Sequence, residues 1–136
     1  MSNQNINYFQ KSLFSTEDKI KNFTKYVPRK FLTRFLVQHE LFKKQLSIKG
    51  SIVECGVHQG GGLFAWGKLS SIYEPYNYHR KIYGFDTFNG FPNIERSKDN
   101  SKKAYVKNFA EKVDIVKDIN LMTKLFDSER IIKNKK

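Results

Sequence analysis

The sequence predicts an α/β chain in which helices precede a single strand–helix–strand unit. Three observations carry that prediction. Apolar residues recur at helical spacing ahead of Gly50, two short apolar runs then end at Gly56 and Asp86, and a triple glycine, Gly60-Gly61-Gly62, opens an apolar helical stretch between them.

The elements follow in order. The first ~15 residues are polar and are expected to fray. Ser15 to Asp18 has the S-x-x-D form of a helix start, which predicts a short helix to about Tyr26, stopped by Pro28. Pro28 suits the first position of a second helix, in which Phe31, Phe35, Leu36, Phe42 and Leu46 share a face and which Gly50 ends. Leu32, Val37 and Leu41 widen that face, and the N-terminal aromatic residues read as core or lid packing.

Ser51-Ile-Val-Glu-Cys-Gly56 has the texture of a buried parallel strand, with Cys55 as an inert core thiol. Leu63 to Tyr73 reads as a helix ended by Pro75, and Lys81-Ile-Tyr-Gly-Phe-Asp86 as a second strand. Together they form one βαβ unit, whose crossover is nearly always right-handed. From about Lys102 to Phe126 the spacing of Ile115, Ile119, Met122 and Phe126 predicts a further helix. Residues 1–49 are thus read as a helical segment and 50–136 as a partial Rossmann-like cofactor-binding domain. Two strands are too few to bury both faces of a parallel sheet, so the chain is expected to be the N-terminal part of a longer protein.

Composition narrows the function classes. With 136 residues, 39% hydrophobic and 15% aromatic, the chain is not wholly disordered. No stretch approaches the ~20 apolar residues of a membrane span, and the first residues lack a secretory signal pattern. Cys55, the single cysteine, cannot form an internal disulfide or a multi-thiol metal site. The expectation is a cytoplasmic protein with no membrane partner.

The formal charge of +12 invites a nucleic-acid reading, but its distribution argues otherwise. Residues 51–95 carry 3 basic against 4 acidic side chains, so the excess lies wholly in the flanks. Twenty of the basic residues are Lys and five are Arg, whereas base and phosphate readers favour the arginine fork. Nor do aromatics interleave with the basic residues as a stacking platform requires. A nucleic-acid partner is disfavoured.

The informative chemistry lies between Ile52 and Pro92. In open α/β sheets ligands bind at the carboxyl ends of strands, beside a helix N-terminus whose free N–H groups hold an anion. The glycine turn lets a ligand approach the backbone there, and Asp86 is placed to accept hydrogen bonds from a ribose diol. Glu54 and Asp86 are expected at adjacent strand tips, facing one nucleoside-sized crevice. The spacing Gly56-x-x-x-Gly60-Gly61-Gly62 fails the G-x-G-x-x-G dinucleotide pattern. Gly62-Leu-Phe-Ala-Trp-Gly67-Lys68 imitates a phosphate loop, but it lacks the following Ser or Thr and lies in a helical stretch. Glu54 would repel a pyrophosphate and suits a cofactor bearing an ammonium and a sulfonium, as S-adenosylmethionine does.

Two blocks, Gly50-Ser-Ile-Val-Glu-Cys-Gly-Val-His-Gln-Gly-Gly-Gly62 and Ile82-Tyr-Gly-Phe-Asp-Thr-Phe-Asn-Gly-Phe-Pro92, resemble the macrocin/mycinamicin-type sugar O-methyltransferases. Arg34-Phe-Leu36 and Glu40-Leu-Phe42 resemble the same family. The resemblance spans about residues 29–95. It implies the class I methyltransferase sheet, S-adenosylmethionine as donor, a sugar or other small-molecule acceptor, and Mg²⁺ in the full-length protein. By position Glu54, Gly56, Gly60 and Gly61 would line the methionine end of the cofactor, and Asp86 with Thr87 would hold the ribose. Metal ligands and the catalytic base would come from later strands, and no Asp-x-Asp string follows Asp86 here. The expected function is donor binding within an O-methyltransferase, a homo-oligomer being one arrangement open to it; this chain alone is expected to be inactive. A nicotinamide- or nucleotide-binding protein and a basic nucleic-acid module are the alternatives. His58, in the turn, and His39 and His79 are read as solvated, and Lys68 as a helix-surface charge.

Overall fold

The computed structural model describes residues 3–91, 93–95, 110 and 113–131, with side chains from residue 7 onward. Two compact units emerge, Met1–Gln45 and Leu46–Lys136.

The first unit is helical: α1 (Asn3–Lys11), α2 (Thr16–Lys21), α3 (Phe23–Tyr26) and α4 (Arg29–Gln45). The expected fraying of the N-terminus is corrected by α1. The Tyr26 ring stacks on Tyr8 at 5.9 Å and meets Phe9 edge-on at 5.5 Å, and the Tyr26 hydroxyl lies 2.9 Å from Ser12 Oγ. These contacts order a segment that its polar composition would leave loose. Ser15 caps α2 as read, its Oγ accepting from the Asp18 N–H at 3.0 Å. The helix then breaks at Asn22 (φ −107°, ψ 36°) instead of running to Tyr26, because Asn22 turns its side-chain amide back onto the Asp18 carbonyl. Helix α4 begins one residue after Pro28 and stops at Gln45, short of Gly50. Of its expected apolar face Phe42 is fully buried, while Leu36, Val37 and Leu41 are half exposed.

The second unit is built on two parallel strands, β1 (Ile52–Cys55) and β2 (Ile82–Phe85), joined through α5 (Gly61–Tyr73). The register pairs Ile52 with Ile82, Val53 with Tyr83, Glu54 with Gly84 and Cys55 with Phe85. Alternation along a strand sends Ile52 and Glu54 to the face that α5 covers. Val57, Ala65 and Leu69 are buried on that side. Gly84 is required there by close approach, since a Cβ would stand 2.6 Å from Val57 Cγ2 and 3.1 Å from Leu63 Cδ1.

The opposite face is bare among the described residues. Val53, Tyr83 and Phe85 are 50–59% exposed, and Cys55 is exposed with them. That corrects the reading of β1 as a strand buried on both sides and of Cys55 as a core thiol. The expectation assumed a covered parallel sheet, and among the described residues only one face has its helix.

Helix α6 spans Ile115–Glu129 and is capped by Asp114, whose Oδ1 accepts from the Lys117 N–H at 2.9 Å. The predicted start near Lys102 falls outside the described residues, and Val113 and Asp114 are not helical. A side chain seven residues from its partner meets each of two glycines on α5 and its turn. A Cβ at Gly60 would stand 3.2 Å from Ile119 Cγ1, and one at Gly67 would stand 3.4 Å from Phe126 Cζ. Ile119 and Phe126, two turns apart on α6, thus rest where α5 and its turn lack a side chain.

Arg80 locks the amino ends of the strands. Its side chain is 5% exposed and donates to Glu74 Oε2 through Nε at 2.5 Å and to Oε1 through Nη2 at 2.9 Å. It also donates to the carbonyls of Gly50 at 2.9 Å and Ile48 at 3.1 Å. The guanidinium beside it holds the Glu74 carboxyl below its ordinary range, against the opposing effect of burial.

Candidate functional site

The carboxyl ends of β1 and β2 lie side by side, tied by a hydrogen bond from the Gly56 N–H to the Phe85 carbonyl at 2.8 Å. Gly56 and Gly60 take φ of +83° and +87°, a backbone that only glycine adopts readily, and so fold the strand end back into α5. A Cβ at Gly56 or at Gly61 would meet nothing within 4 Å, so open space stands above both. Phe64 is the first residue of α5 to donate back into the turn, to Gly60, which leaves the N–H groups of the opening residues without helical partners. An anion is favoured there by both the free donors and the helix dipole.

Glu54 lies half-buried beneath this turn. Its carboxyl fills the space that a Cβ at Gly62 would need, with Cδ 2.8 Å and Oε2 2.9 Å from that point. The third glycine of the triplet, to which the sequence reading attached no ligand role, is thus the one that admits the Glu54 side chain. The signal was present in the triplet, but nothing in spacing separates a glycine for approach from one for packing.

Asp86 stands at the tip of β2 and faces the β1–α5 turn. Its Oδ2 accepts from the His58 N–H at 2.7 Å and its Oδ1 from the Phe88 N–H at 2.8 Å. Burial is the largest single influence on this carboxyl and raises it, but the N–H groups of His58, Phe88 and Thr87 together hold it below its ordinary range. The Thr87 hydroxyl turns to its own loop and donates to the Gly90 carbonyl at 2.9 Å. His58 and His79 are exposed as read, whereas His39 is half-buried with Nδ1 3.4 Å from Glu40 Oε1. His58 enters chiefly through its main chain, a contribution that its side-chain chemistry does not announce, and its imidazole adds a smaller electrostatic pull on the Asp86 carboxyl.

The structure thus brings Glu54, Gly56, Gly60, Gly61, Asp86 and Thr87 to one end of the sheet. A cavity of about 260 Å³ lies elsewhere, between α5, β2 and α6, lined by Gly67, Ser70, Ile82, Phe126 and Arg130 among others. None of the six residues touches it. Lys68, with the rest of the loop-like string, lies inside α5, so that string is helix and not a phosphate loop. Among the described residues no three His, Cys, Asp or Glu side chains group as metal ligands, and no helix is long and apolar enough to cross a membrane.

Adjacent parallel strand tips, a glycine turn into a helix N-terminus and a carboxylate on the second strand make up a Rossmann-like βαβ unit, here the N-terminal part of a methyltransferase fold. The model of the family described as Macrocin-O-methyltransferase (TylF) matches residues 21–127, and the chain belongs to that family. Among solved structures, one described as a crystal structure of CalS11, calicheamicin methyltransferase, is 28% identical with a TM-score of 0.88, over 94% of this chain and 50% of that one. A second, described as apo CalS11, TDP-rhamnose 3'-O-methyltransferase, an enzyme in calicheamicin biosynthesis, is 23% identical with a TM-score of 0.73, over 94% and 46%. The chain spans about half the length of these solved relatives. No curated protein matches.

Proposed function

We propose that this chain is the donor-binding part of an S-adenosylmethionine-dependent O-methyltransferase whose acceptor is a sugar hydroxyl. The observation that carries the reading is the meeting of Asp86 with the Gly56–Gly61 turn in a chain of the macrocin-O-methyltransferase family. The acceptor class is supported by that family and by the solved relative described as a TDP-rhamnose 3'-O-methyltransferase.

The residues fit the cofactor. Open space over Gly56 and Gly61 admits the amino-acid portion against bare backbone, and the start of α5 suits its carboxylate. Glu54, beneath the same turn, supplies the negative charge that an ammonium needs. The carboxylate of Asp86 has acceptor capacity beyond its backbone donors and would take a ribose hydroxyl. When bound, the cofactor supplies a sulfonium methyl for transfer to an acceptor oxygen. The contribution of this chain is to fix the donor's position and exclude motion along the turn, which is the larger part of what such a transfer needs from a protein. Residues 50–136 form the partial cofactor domain in this reading and 1–49 a helical segment. The Mg²⁺ implied by the family resemblance enters no step here. The single cysteine accords with a cytoplasmic setting.

Calorimetric titration of S-adenosylhomocysteine into the purified chain tests the proposal, with NAD as the competing ligand. Saturable binding of S-adenosylhomocysteine that NAD does not displace is expected. Binding of NAD alone would favour the nucleotide-binding alternative, and binding of neither by a folded chain would remove donor binding from this polypeptide. The nucleic-acid alternative predicts instead an oligonucleotide affinity that falls steeply with salt.

A further inference from the structure

Among the described residues, two that are not glycine hold their backbones at positive φ: His58 at 52° and Phe88 at 55°. Histidine visits this region more readily than most residues, whereas the bulky ring of Phe88 makes it a conformation that needs outside support. Such a backbone persists where its surroundings over-determine it. Both residues donate their N–H to the same side chain, His58 to Asp86 Oδ2 at 2.7 Å and Phe88 to Asp86 Oδ1 at 2.8 Å. The first of these contacts joins residues 28 positions apart and two different turns.

We propose that Asp86 is a positioning residue for the glycine turn: its carboxylate clasps the Val57–Gly60 turn to the turn after β2 and so presets the start of α5 for a ligand. The identity of the ligand rests on the reading above, but the clasp is a property of the free chain. A carboxylate is suited to this task because both of its oxygens accept. Asparagine offers one accepting oxygen and would aim amide hydrogens at the second N–H donor. Glutamate would carry the acceptors one methylene too far. The two ends of the ligand site are therefore not independent, because a change at Asp86 reaches the glycine turn through His58. The lowered carboxyl of Asp86 accords with donors on both oxygens.

The test compares the wild-type chain with Asp86→Asn, His58→Gly and the double variant by amide hydrogen exchange without ligand, then by S-adenosylhomocysteine titration. In Asp86→Asn the His58 and Phe88 amides are expected to exchange at least tenfold faster without ligand. His58→Gly keeps the N–H and removes the left-handed penalty together with the imidazole's electrostatic contribution to Asp86, so the protection of the residue-58 amide should stay within severalfold of wild type. In the double variant glycine should restore part of the turn's order and of the affinity lost in Asp86→Asn, a rescue that a ribose contact alone does not predict. Unchanged exchange in Asp86→Asn would overturn the clasp, as would loss of protection in His58→Gly should Asp86→Asn fail to fold. Faster exchange in Asp86→Asn together with no S-adenosylhomocysteine binding by wild type would retain the clasp and remove the functional reading instead.

Discussion

The carboxyl of Glu54 occupies the space that a side chain at Gly62 would fill. One residue belongs to β1 and the other to the first turn of α5, so the glycine is there for the acid's sake. Gly62→Ala is expected to displace the Glu54 carboxyl, at a cost of about 1–3 kcal/mol for overpacking less whatever the flexible side chain recovers by moving. In a Glu54→Ala background the same substitution should cost less, because the three atoms nearest to that Cβ all belong to the Glu54 carboxyl. Urea denaturation of the four chains of this cycle measures the coupling, and additive effects would contradict the contact.

Gly67 gives the opposite expectation from the same helix. A Cβ there would stand 3.4 Å from Phe126 Cζ, an ordinary contact, and the position is interior to α5. Gly67→Ala should stabilise the chain by about 0.5–1 kcal/mol through helix propensity. A destabilised variant would mean that α6 lies closer to α5 than described.

Arg80 and Glu74 form a two-point ion pair at the far end of the strands from the ligand site. Arg80→Ala leaves the carbonyls of Gly50 and Ile48 without this donor and the Glu74 carboxylate with Asn77 Nδ2 alone, and should destabilise by about 2–4 kcal/mol. Arg80→Lys keeps the charge but cannot span all four acceptors, so it should fall between. The loss should show in denaturation midpoint and not in the position of ligand contacts.

Acid should weaken the fold in a definite direction. Glu74 is held low by Arg80, against burial, and Asp86 is held low by backbone donors that outweigh burial. A carboxyl whose folded-state value is depressed contributes stability above its unfolded value, and that contribution is lost as pH falls through the folded value. Denaturation midpoints should therefore fall between about pH 5 and about pH 3, with a shallower fall in Arg80→Ala. A slope unchanged by the substitution would contradict the role given to the pair.

Much of this was legible beforehand, for identifiable reasons. The βαβ unit stood out because Ile52–Cys55 and Ile82–Phe85 are short apolar runs and the glycines between them break periodicity. Asp86 stood out because an acid after the second strand has a known place in such sheets. The helix at Asn3–Lys11 escaped because its order comes from rings on Tyr26, residues distant in the chain. The exposure of Cys55 escaped because strand texture reports how a sheet is meant to be covered, and among the described residues one face carries no helix. The roles of His58 and Gly62 escaped because one acts through its N–H and the other through an absent side chain, neither of which residue type reveals.

The central claim, that the ligand site is formed at the strand tips by Asp86 and the glycine turn, is tested most directly by following backbone amide resonances of the chain as S-adenosylhomocysteine is added. The account predicts the largest shifts at Gly56, Gly60, Gly61, Asp86 and Thr87, with the residues around Gly67, Ile82 and Phe126 little changed. Shifts centred on the cavity between α5, β2 and α6, or none in a folded chain, would contradict it.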